Sequence, residues 1–283
     1  MTPTSSTVQA WELGIRLKER REELGMTAAA AGKATGLGGT NLSAIETGKR
    51  KLPPFRMADI AEVYGLTDQE MFPLEALRAG ADRREWYHDY SLIYSDEFIR
   101  FLGLESGAVG VRNYEGEVIP GLLQTADYAK AMIKGGGPYI RPVEVDVRVE
   151  SRMLRQDRLV GECPLRLSAV VGEAALRQQV GGRGVMRGQL KRLAEMAVGS
   201  VDVRVMPFSA GAHPLIGNSA ILLSFLSPRL PDLLWQETVT SQTIVDKRSK
   251  LLEVSASFDH AMERALSHAD SMALIRRVLK ELE

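Results

Sequence analysis

The stretch Thr27–Pro53, TAAAAGKATGLGGTNLSAIETGKRKLP, decides the reading of the N-terminal part of the chain. Thr27 stands as a helix N-cap, and the short alanine-rich helix it opens is small enough for another helix to approach closely. Gly36-Leu37-Gly38 breaks that helix: the glycines permit the turn and Leu37 can plug the space beneath it. A second helix, over about Gly39 to Thr47, carries Leu42 and Ile45 three residues apart and so on one buried face. Gly48 is placed to end it as a C′ glycine, and Lys49-Arg50-Lys51 follows where it can touch a phosphate backbone. One helix packed inside with one helix end offered outward is the geometry that enters a DNA major groove.

These residues resemble the Cro/repressor-type (xenobiotic-response-element) family of DNA-binding domains. The matching positions are Gly25, Thr27, Ala31, Gly36-Leu37, Leu42-Ser43-Ala44-Ile45-Glu46, Gly48, the basic run and Pro53. The resemblance covers residues 1–80 and implies a five-helix domain over Leu13–Leu24, Thr27–Thr35, Gly39–Thr47, Phe55–Tyr64 and Asp68–Ala79. It also implies that Arg21 and Glu46 form a structural tie that positions the recognition helix. The DNA-facing set is then Thr27, Ala28, Lys33, Gly39, Thr40, Asn41, Ser43, Ala44, Lys49, Arg50 and Lys51. Departures matter here. Many family members place glutamine where this chain has Ala28, and several carry further glutamines where it has Gly39, Thr40, Asn41 and Ala44. Direct readout favours Arg on guanine and Asn or Gln on adenine, each good pair contributing about 1–3 kcal/mol of discrimination. Only Asn41 is of that type, with Thr40 able to touch a thymine methyl, so phosphate contacts, DNA shape and dimeric spacing are expected to carry much of the recognition.

Bulk charge is neutral, with 36 Lys+Arg against 36 Asp+Glu, so no global field draws the chain to nucleic acid. Local charge differs. Between Leu13 and Arg56 nine basic residues face four acidic ones; from Met57 to Gly80 a single Arg78 faces five carboxylates. The basic pole therefore sits on the helix-turn-helix and the acidic pole on the helices behind it. At 283 residues and 45% hydrophobic, the chain has room for two or three domains. No apolar run approaches the ~20 residues that span a bilayer, and MTPTSSTVQAW lacks a signal peptide's apolar core, so no membrane and a cytoplasmic location are expected. The single Cys163 excludes an internal disulfide framework and any zinc finger, and it reads as a semi-buried thiol; no metal or cofactor is expected.

After Gly80 the pattern changes. A long helical stretch is expected over Asp82–Leu104, with Trp86, Tyr87, Tyr90, Leu92, Ile93, Phe98, Ile99 and Leu102 as core residues. A strand over Ala108–Glu115 follows, then a helix through Gly121–Lys130, a flexible break at Gly135–Pro138 and a helix over Pro142–Leu159. That last helix carries Arg148, Arg152, Arg155 and Arg158 along one flank, read as a partner-binding surface beside the final amphipathic helix. Further strands are expected at Leu165–Val171, Val201–Pro207, Ser219–Phe225 and Leu233–Thr240, and helices at Gly172–Gln179, Val185–Ala197, Ile244–Ser267 and Ala269–Glu283. The fold class is thus multidomain: an N-terminal all-α helix-turn-helix domain (1–80) and a C-terminal mixed α/β domain (81–283).

The segment YEGEVIPGLLQTADYAKAM (Tyr114–Met132) resembles the large C-terminal domain of actinobacterial antitoxin-like and developmental transcriptional regulators. Similar pieces recur in order: RVESRMLRQDRL (Arg148–Leu159), GEAALRQQVGG (Gly172–Gly182), VMRGQLKRLAEMA (Val185–Ala197) and VDVRVMPFSAGAHP (Val201–Pro214). This resemblance implies a DNA-binding regulator, a repressor on the reading adopted, whose activity is changed by a small protein encoded nearby or by another effector. A homodimer on an inverted-repeat duplex is expected. The rival reading is an antitoxin-type module that sequesters a partner, with DNA binding secondary. Enzymatic function is not expected. His213 lies between two strands as in phospholipase D-type phosphodiesterases, yet Leu215 occupies the place where those need lysine. No His-Glu-x-x-His, Gly-x-Ser-x-Gly or lysine-bearing phosphate loop occurs, and Gly181–Gly184 opening a helix reads as a loop rather than an anion site.

Overall fold

The computed structural model describes residues 3–136 and 140–282. Five helices form the N-terminal part: α1 (Ser6–Glu23), α2 (Ala28–Ala34), α3 (Gly39–Glu46), α4 (Met57–Tyr64) and α5 (Asp68–Ala81). Leu13, Leu17, Leu42, Ile45, Leu52, Ile60 and Tyr64 close their common core. The helix starts follow local chemistry. The Ser5, Thr27 and Thr67 side chains each accept a hydrogen bond from a first-turn N–H, and Thr67 with Glu70 completes a capping box.

The C-terminal body is built on one six-stranded sheet of order β3-β2-β1-β4-β5-β6. Its strands are β1 (Gly110–Glu115), β2 (Arg166–Gly172), β3 (Val201–Met206), β4 (Ser219–Ser224), β5 (Leu233–Glu237) and β6 (Gln242–Val245). β1, β2 and β3 run parallel, while β4, β5 and β6 add antiparallel neighbours. The helices are α6 (Asp96–Gly107), α7 (Ala126–Gly135), α8 (Val145–Arg155), α9 (Glu173–Arg177), α10 (Arg183–Met196), α11 (Arg248–Arg264) and α12 (His268–Glu281). The two-residue side-chain period sorts the sheet into two faces. Val111, Ala169, Val203, Leu223 and Trp235 join the core under α6, α7, α10 and α12, while Tyr114, Val170, Leu222 and Leu234 meet Phe258 of α11 on the other side. The final amphipathic helix α12 spends its apolar stripe (Met272, Ile275, Val278) on this body's own core rather than on a partner.

Several expectations are corrected. The helix expected over Asp82–Leu104 is two pieces, a 3-10 turn at Trp86–Tyr90 and α6, because Ser95 caps a new helix start through its bond from Phe98 N. Leu92, in the turn between them, is exposed rather than in the core. β6 replaces the start of the helix expected at Ile244, and Ile244 pairs with Trp235 across the sheet. α1 begins at Ser6, not Leu13, and its first turns leave the helix-turn-helix core. Val8 and Trp11 pack into the body core with Tyr87, Phe101 and Leu102, and the Trp11 ring meets Phe225 edge-on at 5.3 Å. The boundary drawn at residue 80 therefore does not separate two independent cores: α1 belongs to both. Cys163 is exposed rather than semi-buried. Of the break at Gly135–Pro138, Gly137 and Pro138 lie outside the described residues.

Candidate nucleic-acid interface

The recognition element is set by backbone proximity. A Cβ on Gly32 would come within 2.5 Å of the Gly38 carbonyl carbon, so the α2–α3 turn closes only over glycine. α3 then ends in a Schellman arrangement, with Gly48 at φ +66, Gly48 N donating to Ile45 O and Lys49 N to Ala44 O at 2.9 Å each. Beneath it the expected tie is present. The Arg21 guanidinium grips Glu46 through Nε to Oε1 at 2.6 Å and a second nitrogen to Oε2 at 2.9 Å, and donates to the Met26 carbonyl at 2.7 Å. Both side chains are buried. The bond to Glu46 raises the Arg21 pKa, and burial, with the Glu46 carboxylate nearby, pushes the Tyr64 hydroxyl up to about 12.

With Leu42 and Ile45 turned inward, α3 presents Thr40, Asn41 and Ser43 as exposed side chains, with Gly39 and Ala44 half-buried between them. Thr27, Lys33, Lys49, Arg50 and Lys51 are exposed and Ala28 is half-buried. Asn41 is not idle: its amide donates to the Leu37 carbonyl at 3.0 Å and accepts from Arg50 at 2.6 Å. The one side chain suited to adenine is therefore held by the middle cation of the basic run, and the two must move together when either meets DNA.

Sequence reasoning missed Arg100. From α6 it donates to the Thr47 carbonyl at 3.0 Å, at the end of the recognition helix. Burial lowers its pKa, and its Nε has no partner among the described residues. No local pattern marks a cation that far along the chain as a cap for α3.

The arginine flank of α8 is corrected. Arg155 is buried in a two-bond pair with Glu105 (2.7 and 2.8 Å); Arg148 bonds Glu144 and the Ile93 carbonyl; Arg158 bonds the Ala108 and Cys163 carbonyls; Arg152 bonds Gln124 at 2.8 Å. Arg148 and Arg155 are thus closed by carboxylates and Arg158 is turned to backbone carbonyls, so the four do not form a continuous outward cationic strip; Arg152 alone has only a neutral amide as partner among the described residues. His213 places Nε2 3.3 Å from the Tyr114 hydroxyl, its ring edge-on to Tyr114, and its Nδ1 has no partner among the described residues. Among the described residues no group of three or more metal-ligating side chains gathers, and no helix is long and apolar enough to cross a membrane.

A tight-turned helix pair with a braced third helix, joined to a sheet-based body, defines the class: a helix-turn-helix protein of the kind that regulates through DNA. Residues 12–74 match a family described as a helix-turn-helix domain, and residues 98–277 match the family described as a domain of unknown function, DUF5753. The second match covers most of the chain, which belongs to that family. No curated protein and no solved structure matches.

Proposed function

We propose that the chain is a sequence-specific transcriptional repressor that binds an inverted-repeat duplex as a homodimer and is controlled through its C-terminal body. The observation that carries this reading is the exposed face Thr40-Asn41-Ser43 of α3, followed at once by exposed Lys49-Arg50-Lys51 and braced from below by the Arg21–Glu46 pair. Asn41 supplies the discriminating contact, and the three cations with Lys33 supply phosphate contacts. Two recognition helices of a dimer would sit about 34–36 Å apart, one helical turn of DNA. Control through the body fits the way α1 and Arg100 fasten the recognition helix to it.

The test is selection of duplexes from a random pool, followed by anisotropy titrations at several salt concentrations. A palindromic site is expected. Replacing Lys49, Arg50 and Lys51 by Ala should flatten the salt slope by about 1 for each phosphate no longer neutralised. An enriched pool with no common site, or a slope unchanged in the triple variant, overturns the reading and leaves partner sequestration as the better one.

A further inference from the structure

Between the sheet and the helices α6, α7 and α8 lies a cavity of about 450 Å³, within the size range of small-molecule sites. Its apolar lining includes Phe98 from α6, Ile133 from α7, Ile221 from β4 and Trp235 from β5. The wall is ordered by aromatic packing: Trp235 stacks on Phe101 at 4.5 Å and meets Phe98 edge-on at 5.8 Å.

Three arginines of α8 reach this cavity, and their charges are balanced differently. Arg155 is closed by Glu105 and Arg148 by Glu144. Arg152 has no carboxylate within ion-pair distance among the described residues; its one hydrogen bond there goes to the neutral Gln124 amide. Burial pushes its pKa down, with the Arg155 charge next to it the second cause. Arg152 is half-buried, and its remaining donors, which meet no acceptor among the described residues, are free for an anion that enters the cavity.

Other charges on the lining set the class of that anion. Glu115 and Glu237 also face the cavity, and a phosphate dianion would meet both carboxylates while gaining only one uncompensated cation. A single carboxylate carries half that charge, so its repulsion by the two is smaller, and its two oxygens match the planar Arg152 fork. We propose that this cavity binds a small amphipathic carboxylate, its anionic group paired with Arg152 and its apolar body against Phe98, Ile221 and Trp235. α6 joins this site to the DNA side, since it carries Phe98 and Phe101 into the cavity and Arg100 to the end of α3. The inference deepens the regulatory reading given above by naming the chemistry of the effector, but binding itself does not depend on DNA.

The test is isothermal titration calorimetry on the full chain with 3-phenylpropionate, indole-3-acetate and decanoate, each beside its uncharged amide, and with inorganic phosphate. At least one carboxylate should bind saturably, and its amide should bind about tenfold weaker or worse, the loss of one charge-assisted pair. Phosphate should not bind. Arg152→Met should abolish carboxylate binding while the variant still melts in a cooperative transition, at some cost in melting temperature because the buried Gln124 oxygen loses its donor. Arg152→Lys should keep the fold and bind more weakly than the parent, since the planar fork is gone. A purely structural arginine would leave the affinity of a folded variant for the carboxylate unchanged on either substitution. No saturable binding of the three carboxylates up to millimolar concentration overturns the proposal. So do equal affinity for acid and amide, preference for phosphate, and carboxylate binding by a folded Arg152→Met that equals the parent's. Carboxylate binding by a chain that selects no duplex would leave this site standing and remove the DNA-binding reading alone.

Discussion

At the scale of single residues, the buried Arg21–Glu46 pair is a device of position rather than of net stability. Each partner is desolvated, so the attraction mainly offsets the cost of burying both charges. Removing one partner exposes that cost: Arg21→Met should lower unfolding stability by about 3–5 kcal/mol, measured by urea titration. A double Arg21→Met, Glu46→Met variant should recover most of it, and a single variant as stable as the parent would show the pair to be solvated. Glu115 gives a pH signature. Burial raises its pKa from 4.5 to about 7, against the pull of the Asn113 amide and with a smaller push from the Glu237 charge. The folded chain therefore holds this proton where the unfolded chain has released it. The contribution of Glu115 is most favourable below about 4.5 and declines as pH rises through about 7. Glu115→Gln should flatten that part of the stability profile and leave the variant more stable than the parent above pH 7, by about 1–3 kcal/mol at one pKa unit per 1.4 kcal/mol. A profile that is unchanged by the substitution would place Glu115 in water.

At the scale of elements, what was legible in the sequence is what neighbours along the chain decide. Leu42, Ile45 and Gly48 fix α3 through spacing and one left-handed turn, and Val201, Val203 and Val205 fix a strand face through alternation. The Arg21–Glu46 tie was legible only through family resemblance, since the two lie far apart in sequence. What escaped was decided by tertiary contact. The early start of α1 needs Ser5 Oγ bonded to the Gly103 carbonyl and Trp11 in a distant core. The α8 arginines looked like an outward flank because their spacing fits one helical side, and spacing does not say which side meets Glu105 and Gln124. Arg100 belongs to this second kind, and it bears on function. As the α6 side chain that holds the Thr47 carbonyl, it fixes where the basic run begins. Arg100→Ala should weaken operator binding through the orientation of α3, with the salt slope preserved because every phosphate-neutralising cation is still in place. Anisotropy at two salt concentrations separates the outcomes: a reduced slope would mean that Arg100 touches DNA itself.

At the scale of the whole molecule, α1 makes the helix-turn-helix and the body one mechanical unit. Its Leu13 and Leu17 face the small helical core, its Val8 and Trp11 the large one, and the exposed Arg229–Glu19 pair at 2.6 Å adds only a rim contact. The Trp11 backbone also lies so close to the end of α3 that a Cβ on Gly48 would sit 2.7 Å from its Cα. One helix thus joins the body to the recognition helix with no flexible linker between them. Two cores that share a helix should melt together. Calorimetry of the full chain is expected to show one transition whose van't Hoff and calorimetric enthalpies agree. Trp11→Ala, which empties a buried aromatic site between α1 and Phe225, should cost about 3–5 kcal/mol and split that transition in two. The same variant should bind DNA more weakly although no DNA-facing side chain has changed, because α1 then holds α3 less firmly. Two transitions already present in the unaltered chain would mean that the two parts fold separately, and a signal from the body would need another route to the recognition helix.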